Sequence, residues 1–196
     1  MGRKGPLLGP EAGVKKIGAH SRSLSMKQVL IVAAPEKYRD EELLIPQEAL
    51  TSKRAAVTTA STRAGKITGM FGSSAQAVAL KDVAGINYDA LLVAGGAGCP
   101  ATLWEEPLLR EMIRRHHESG KVVGAICLGG VALAKAGVLS GVEATVFKTE
   151  ASMKAYSQCG VNFREAPVVH SGNIITANGP AAARQFALAV ASLLSL

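Results

Sequence analysis

The sequence has few of the residues that a disulfide framework, a structural metal site or a nucleic-acid interface needs. Its 196 residues include only three cysteines, without a Cys-X-X-Cys pair or a cluster of cysteine and histidine. This low, odd count favours a reducing cytoplasm and argues against a structural zinc site. Aromatic residues make up 4% of the chain, so the platforms that stack nucleic-acid bases are scarce. We therefore expect a cytoplasmic protein with no metal and no cofactor.

Long apolar runs are equally absent. Glycine or a charged residue interrupts each run within the length of a strand, so we expect no membrane segment. The hydrophobic content of 48% nevertheless argues against a disordered chain, because it supplies enough apolar surface for a sizeable core. The composition is that of a compact globular domain.

The formal net charge of +7 is concentrated near the N-terminus. Residues 1–25 contain five basic residues and one acidic residue, and they lack the apolar centre of a secretory signal. We expect a disordered basic leader over residues 1–25 and a single domain over residues 26–196. Translation that starts at Met26 and a functional basic arm are alternative explanations for the leader. The rest of the chain has no basic stripe interleaved with aromatic residues, which argues against nucleic-acid binding.

Strand-like and helix-like segments alternate from residue 27 onward. Strands are predicted over 27–34, 55–60, 88–94 and 121–126, and near 144–147, 161–163, 168–170 and 173–176, with a hairpin over 66–78. Helices are predicted over 40–53, 106–119, 150–157 and 180–196, with a polar turn over 36–39 and a bend or break at Pro46. The alternation predicts an α/β fold, a doubly wound three-layer sandwich with a mostly parallel sheet.

The strand over 121–126 leads directly into Cys127, and glycines at 129 and 130 permit a tight turn before a helical segment. This order is typical of a nucleophile elbow, which holds a reactive side chain at the end of a sheet. The backbone N–H groups that follow would favour a thiolate and could hold an oxyanion. The pattern alone leaves two alternatives open, a reactive cysteine and a buried structural one.

Three features reach the same edge of the predicted sheet. They are the loop that leads to Glu41 and Glu42, the Gly95-Gly96 turn, and Cys127. Ligands bind at this edge in doubly wound folds, beyond the carboxyl ends of the strands. By residue type alone, Glu42 is more typical of an exposed acid at a helix start. The convergence favours a reactive thiol over a packed one.

Several segments carry a resemblance to a known family. They are DEELLIP (40–46), LVAGG (92–96), AICLGG (125–130), LAKAGVL (133–139), AT (144–145), IIT (174–176) and GP (179–180). Together they resemble the ThiJ/PfpI superfamily, also called the DJ-one/PfpI family, over residues 27–196. The resemblance implies the flavodoxin-like sandwich of class I glutamine amidotransferases. It also implies a homo-oligomer, either a dimer or a hexamer.

The resemblance assigns roles to individual residues. Cys127 matches the family's reactive cysteine, and Glu42 matches its partner glutamate. The backbone at Gly95, Gly96 and Leu128 would line an anion pocket. A thiol and a carboxyl group in one pocket are expected to hold one proton between them, because two negative charges there repel each other. A protonated Glu42 could then donate a hydrogen bond to a Cys127 thiolate or sulfinate.

The sequence departs from the family at two histidine positions. PfpI-type proteases have a histidine directly after the cysteine, where this chain has Leu128. Deglycase-like members have one where this chain has Phe147 or, in an alternative register, Lys148. The chain's own histidines are expected in solvent on the leader, a helix surface and a hairpin turn: His20, His116, His117 and His170. Without a base for the thiol and an acid for the leaving amine, peptidase activity is disfavoured.

Two other cysteines need an interpretation. Cys99 follows the Gly95-Gly96 turn and adds a sulfur beside the predicted pocket, where it is a packed small residue, a resolving thiol for Cys127, or a soft metal ligand. Two sulfurs and one carboxylate make an incomplete zinc or copper site, so the metal interpretation ranks last. Cys159 is expected at a loop or helix end and has no assigned role.

The sequence supports three functional hypotheses. The first is a glutathione-independent glyoxalase or deglycase that acts on a small-molecule carbonyl substrate, with Cys127 as nucleophile and Glu42 as proton partner. The second is a non-catalytic redox sensor or chaperone in which Cys127 is oxidised. The third is a PfpI-like intracellular cysteine peptidase.

Overall fold

The computed structural model describes residues 1–2 and 26–196. Its strands are β1 (Gln28–Val32), β2 (Glu36–Tyr38), β3 (Ala56–Ser61), β4 (Gly65–Gly69), β5 (Ser74–Ala79), β6 (Ala90–Val93), β7 (Val122–Ile126), β8 (Glu143–Ala144), β9 (Asn162–Phe163), β10 (Val168–Ser171) and β11 (Ile174–Ala177). Its helices are α1 (Asp40–Ser52), α2 (Leu80–Val83), α3 (Cys99–Thr102), α4 (Pro107–Glu118), α5 (Gly130–Lys135), α6 (Glu150–Gln158) and α7 (Ala183–Leu193). The predicted leader lies outside the described residues, apart from residues 1–2.

Within residues 26–196, nine strands form one sheet in the order β10-β11-β7-β6-β1-β3-β5-β4-β2. The six strands β11, β7, β6, β1, β3 and β5 run parallel to one another. The hairpins β10–β11 and β4–β5 add antiparallel pairs at the two sides of this group. Every residue of β6 and β7 is buried. Such continuous apolar strands occur where helices cover both faces of a parallel sheet.

Two hydrophobic cores lie on opposite faces of this sheet. Along β1, Leu30 and Val32 pack into one core and Val29 and Ile31 into the other, as the two-residue period of a strand requires. The first core also takes apolar residues from α4, α5 and α6, and the second takes them from α1 and α7. The protein is therefore a three-layer α/β sandwich of the flavodoxin-like type, and the predicted fold class is confirmed. Among the described residues, no helix has both the length and the apolar character needed to cross a bilayer.

The structure corrects the predicted polar turn over 36–39. Glu36–Tyr38 forms the edge strand β2, which pairs in parallel with β4 and places Glu36 opposite Thr68. Two of the three residues in β2 are exposed. A short charged strand at a sheet edge lacks the apolar pattern on which strand prediction depends.

The strand predicted over 144–147 is also shorter than expected. It is limited to Glu143–Ala144, because the Thr145 N–H donates to the Thr176 side chain (2.9 Å) and the Phe147 carbonyl accepts from Ser152 Oγ (2.6 Å). Side-chain hydrogen bonds thus replace the ladder that would have continued the strand. Helix α1, by contrast, runs through Pro46 without a break.

His116, predicted on a solvated helix surface, is buried on α4. Its side chain is 3% exposed, and its Nδ1 lies 2.7 Å from the Met112 carbonyl oxygen. Burial lowers the pKa of His116, so the ring is neutral near pH 7. His170 is exposed as predicted, and His20 lies outside the described residues.

Asp40, the first residue of α1, holds the turn of the β4–β5 hairpin. Its carboxylate accepts hydrogen bonds from the Phe71 and Ser73 N–H groups, each at 3.0 Å. A Cβ atom at Gly69 would lie 2.6 Å from that carboxylate, so glycine is needed there. Burial alone would raise the pKa of Asp40, but the hydrogen bonds from Ser73 and Phe71 outweigh it and lower the pKa.

Asp40→Asn should lower the free energy of unfolding by about 1–3 kcal/mol, because an amide cannot accept both backbone hydrogen bonds. A group whose pKa is lowered by folding stabilises the protein above its ordinary pKa, and that stability disappears as the pH falls through the lowered value. The deficit of the variant should therefore shrink in acid. Urea unfolding of both proteins from about pH 7 to about pH 3 measures this difference in the free energy of unfolding.

The exposed Asp82 provides a matched control, since Asp82→Asn removes a charge without removing a buried hydrogen-bond acceptor. A deficit at Asp40 that stays constant with pH, or equals that of Asp82→Asn, would contradict the prediction.

Candidate active site

Cys127 begins a 3-10 turn directly after β7. Its φ angle is +57°, in the left-handed region that residues other than glycine seldom adopt. A Cβ atom at Gly129 would lie 2.5 Å from the Val93 carbonyl oxygen, so the turn packs against the end of β6. The chain thus makes the sharp strand-to-helix turn predicted from the sequence. A strained backbone of this kind persists only where the surrounding structure holds it.

Glu42 lies on α1 with its side chain 1% exposed, so it is not the exposed acid that its residue type suggested. A Cβ atom at Gly95 would collide with Glu42 Oε2 and lie 2.6 Å from Cys127 Cβ. The carboxyl group and the cysteine therefore flank the same glycine, just after β6. The Gly95 carbonyl in turn accepts a hydrogen bond from the Arg39 N–H at 3.0 Å. The three features predicted at this sheet edge do lie together.

The turn at Gly96 allows a close approach of backbone to backbone. Gly96 has a φ of +121°, and a Cβ atom there would collide with the Arg39 nitrogen and the Lys37 carbonyl oxygen. Both the conformation and the space therefore require glycine. This approach leaves the Gly96 N–H, together with that of Leu128, near the Cys127 sulfur.

Burial governs the protonation of the pair. It raises the pKa of Glu42 to about 7. Burial and the neighbouring Glu42 carboxylate also raise the pKa of the Cys127 thiol, while hydrogen bonds from the Leu128 and Gly96 N–H groups act in the opposite direction. The expectation that these N–H groups favour a thiolate is therefore incomplete, because burial outweighs them. Near neutral pH the pair carries at most one negative charge.

Both carboxyl oxygens of Glu42 lack a well-aligned hydrogen-bond partner among the described residues. They nevertheless lie close enough to the Cys127 thiol and the Gly95 N–H for both groups to lower the pKa of the carboxyl. A buried carboxyl with a free oxygen is positioned to exchange a proton with a small molecule beside it.

Arg39, which the sequence analysis did not single out, provides a positive charge that acts on Glu42. Its guanidinium donates to both carboxylate oxygens of Glu41, at 2.8 and 3.2 Å, and lies 4.5 Å from the centre of the Phe71 ring. Its charge lowers the pKa of Glu42. No sequence pattern identifies this residue, because arginine is common before a helix. Only the folded β4–β5 hairpin brings the Phe71 ring against its guanidinium.

A cavity of about 200 Å³ opens onto the pair. Its lining residues are Arg39, Glu42, Met70, Gly96, Ala97, Cys127, Leu128, Phe147 and Pro180. Leu128 and Phe147 both face the cavity. No histidine among the described residues lines it.

Cys99 takes no part in that lining. It is fully buried, donates to the Ala94 carbonyl at 3.3 Å, and packs in the core on the opposite face of the sheet from Cys127. This placement favours the packed-residue interpretation over the resolving thiol. Cys159, half-buried, ends α6 as predicted.

Comparison with known proteins identifies the family of the chain. The sequence model of the DJ-1/PfpI family matches residues 27–193. The chain belongs to the DJ-1/PfpI family. This confirms the resemblance carried by the sequence motifs. Relatives within it bear names that refer to several different activities.

An uncharacterised protein of Methanocaldococcus jannaschii is 37% identical over 83% of this chain and 80% of its own length. The glutathione-independent glyoxalase DJR-1.2 of Caenorhabditis elegans is 28% identical, and the match covers 87% of this chain and 90% of that protein. A deglycase of Pyrococcus abyssi is 30% identical, and the match covers 78% of this chain and 90% of that protein. Among solved structures, a ThiJ/PfpI domain protein of Brachyspira murdochii superposes with a TM-score of 0.82 at 27% identity, covering 87% of this chain and 97% of that protein.

Glu42→Gln should lower the pKa of the Cys127 thiol and so move the pH midpoint of its alkylation downward. The Glu42 carboxylate raises that pKa through its negative charge and its hydrogen bond to the thiol. Glutamine keeps the shape of the side chain but carries no charge. The rate of iodoacetamide labelling of Cys127 against pH, followed by mass spectrometry, measures the midpoint.

Glu48→Gln, an exposed change on the same helix, is the control and should leave the midpoint in place. An unchanged midpoint in Glu42→Gln would mean that the proton is not shared.

Gly95→Ala should displace Glu42 from Cys127 and destabilise the fold by about 1–3 kcal/mol, the usual cost of overpacking. A Cβ atom there meets Glu42 Oε2, Cys127 Cβ and a backbone carbonyl oxygen, and none of these can withdraw freely. Urea unfolding and the pH profile of Cys127 labelling report the two effects. Gly85→Ala, where nothing lies within 4 Å of the new Cβ, should change neither. Equal behaviour of the two variants would overturn the proposed packing at Gly95.

Proposed function

We propose that the protein is a cysteine-dependent enzyme that acts on small reactive carbonyls, as a glutathione-independent glyoxalase or deglycase. The observation that carries this proposal is the arrangement of Cys127 and Glu42 around Gly95, with one shared negative charge beside a cavity of about 200 Å³. The names of the Caenorhabditis elegans and Pyrococcus abyssi relatives support the same class of substrate.

The reaction begins from the singly charged pair, and the Glu42 carboxylate takes the thiol proton as the Cys127 sulfur attacks. The sulfur adds to the aldehyde carbon of an α-oxoaldehyde, a C–S bond forms, and the carbonyl oxygen takes the proton from Glu42. The N–H groups of Gly96 and Leu128 stabilise the oxygen while it carries charge. The product of this step is a hemithioacetal.

Glu42, now a carboxylate, removes the hydrogen from the former aldehyde carbon and returns a proton to the adjacent ketone carbon, while the hydroxyl proton of the hemithioacetal passes to the former ketone oxygen. The former aldehyde carbon is oxidised and its neighbour is reduced, so no external electron acceptor is needed. Water then hydrolyses the resulting thioester to a 2-hydroxy acid and frees the thiol. The sum is one α-oxoaldehyde plus one water to one hydroxy acid.

The alternative functions use the same cysteine. A peptidase must protonate a leaving amine, and the cavity lining offers Glu42 but no histidine among the described residues. A relative in Bacillus subtilis is named as a candidate cysteine protease, so peptidase activity should also be assayed. A redox sensor would use the N–H groups of Gly96 and Leu128, with protonated Glu42, to hold the oxygens of a Cys127 sulfinate.

We also expect the protein to form a homo-oligomer, either a dimer or a hexamer. Large apolar side chains are exposed on the β4–β5 hairpin, at Met70 and Phe71, and on α7, at Leu188. Exposed apolar residues that lie together favour self-association.

Wild-type protein should convert methylglyoxal to lactate without glutathione, and Cys127→Ala should abolish the conversion because no other cysteine of the described residues lines the cavity. Glu42→Gln should lower kcat by about 10²–10⁴-fold, the usual contribution of general acid–base catalysis. The rate should rise with pH through about 7, as the pair ionises. Enzymatic measurement of lactate gives each rate.

Cys159→Ala removes a half-buried thiol away from the cavity and should retain full activity. Equal lactate formation by wild type and Cys127→Ala would refute the proposal. In that case, mass spectrometry after mild peroxide tests the redox alternative, which requires Cys127 to oxidise before Cys99 and Cys159.

A further inference from the structure

The single tryptophan of the chain contacts the backbone of the Cys127 turn. Trp104 Nε1 donates a hydrogen bond to the Leu128 carbonyl oxygen at 2.8 Å, and the residue is 9% exposed. Its ring packs in the core that also takes apolar residues from α4, α5 and α6. A buried indole N–H needs an acceptor, and here a carbonyl of the turn provides it. Trp104 does not line the Cys127 cavity, so its effect on the thiol passes through Leu128.

The segment that ends in this tryptophan also holds Gly96. The Cys99 N–H donates to the Gly96 carbonyl at 3.1 Å, and the Cys99 carbonyl accepts from the Trp104 N–H at 3.1 Å. We call residues 99–104, which comprise α3 and the two residues after it, the α3 segment. Through these hydrogen bonds the α3 segment connects Gly96 to Leu128, the two residues whose N–H groups act on the reactive sulfur.

Two further sets of contacts hold the far side of the α3 segment. The Arg110 guanidinium donates to the Trp104 carbonyl at 3.0 and 2.7 Å. Glu105 forms ion pairs with Arg110 and with Lys135 of α5, the helix that follows the Cys127 turn. The Glu105 side chain is 66% exposed, so these ion pairs add little to stability. The buried indole hydrogen bond is therefore the stronger connection between the α3 segment and the turn.

Holding the Leu128 carbonyl also restricts the Leu128 N–H. The two groups belong to consecutive planar peptides, which turn relative to each other only through two dihedral angles. The Cys127 carbonyl, in the same plane as the Leu128 N–H, accepts a backbone N–H at the end of the turn. With one plane held by the turn and the next held by Trp104, the direction of the Leu128 N–H is fixed before charge develops. Donors that are fixed in advance stabilise charge most effectively.

We propose that Trp104 is a positioning residue for the chemistry at Cys127, and that the α3 segment sets the separation of the Leu128 and Gly96 N–H groups. These groups then point together at the negative charge on the sulfur or on a substrate oxygen. The effect on the sulfur requires only a reactive thiol. The effect on a substrate oxygen rests on the proposed function, so the two are measured separately.

Replacement of the indole N–H by sulfur tests this role with little change of shape. Because the chain has one tryptophan, expression with β-(3-benzothienyl)alanine in place of tryptophan alters position 104 alone. Expression with 5-fluorotryptophan retains the N–H and is the matched control. The rate of iodoacetamide labelling of Cys127 is followed against pH by mass spectrometry, and urea unfolding gives the stability of each protein.

The benzothienyl protein should label Cys127 about tenfold more slowly than wild type near neutral pH. Below the thiol pKa the rate follows the fraction of thiolate, and a weakened hydrogen bond to the thiolate should raise that pKa by about one unit. The 5-fluorotryptophan protein should label as wild type does. In the methylglyoxal assay, the benzothienyl protein should lose about tenfold in kcat with little change in KM, because the N–H groups act mainly on the charged state.

Asn173→Ala separates positioning from general loss of stability. The Asn173 amide donates to the carbonyls of Lys121 and His117, at 2.6 and 3.2 Å, at the opposite end of β7 from Cys127. This variant should unfold at lower urea and yet label Cys127 at the wild-type rate.

Equal labelling rates in the benzothienyl and 5-fluorotryptophan proteins would overturn the positioning role, and so would an equal slowing in Asn173→Ala. Slower labelling of the benzothienyl protein alone supports the role even if no protein forms lactate. Absence of lactate with wild type counts against the proposed function, so the two failures are distinguishable.

Discussion

Glu42 and Cys127 face each other across Gly95, where there is no room for a side chain to separate them. Burial of two acidic groups at this distance prevents both from ionising, so a proton must remain between them near neutral pH. A single buried charge still costs several kcal/mol unless other groups compensate it. The N–H groups of Leu128 and Gly96 and the charge of Arg39 supply that compensation. The sharp turn at Cys127 and the glycines around it keep these groups in place.

Helix α1 contributes to this arrangement through three consecutive acids with three different partners. Asp40 binds the N–H groups of the β4–β5 turn, Glu41 binds the Arg39 guanidinium, and Glu42 points to Cys127. Successive residues on a helix are turned by about 100°, so neighbouring side chains necessarily meet different surroundings. The same periodicity fixes the hairpin, the arginine and the proton carrier relative to one another. A displacement of α1 would therefore disturb the site at three points together.

The sequence predicted the framework of the fold better than its edges. The buried strand before Cys127 and the two glycines after it predict the turn, because few backbones accommodate that order of residues. Edge strand β2 was missed, since Glu36 and Lys37 are exposed and pair only through the backbone. Glu42 needed the family resemblance, because an acid in the first turn of a helix is ordinarily exposed and its burial depends on the distant Gly95. No sequence pattern indicated Arg39, since its contact with Phe71 forms only when the β4–β5 hairpin folds.

A cavity lined by a carboxyl group whose pKa is raised to about 7, as at Glu42, favours reactions in which one group gives and takes a proton in turn. Leu128 and Phe147 present apolar surface to the cavity, and Arg39 does not release its proton. Amide hydrolysis needs a group that acts as base for the attacking thiol and then as acid for the leaving amine, and cysteine peptidases use a histidine for this. Rearrangement of an α-oxoaldehyde instead moves a proton between adjacent carbon atoms, within reach of one carboxyl group. The apolar surroundings that exclude a second proton carrier also raise the pKa of Glu42 to about 7, where it transfers protons readily in both directions.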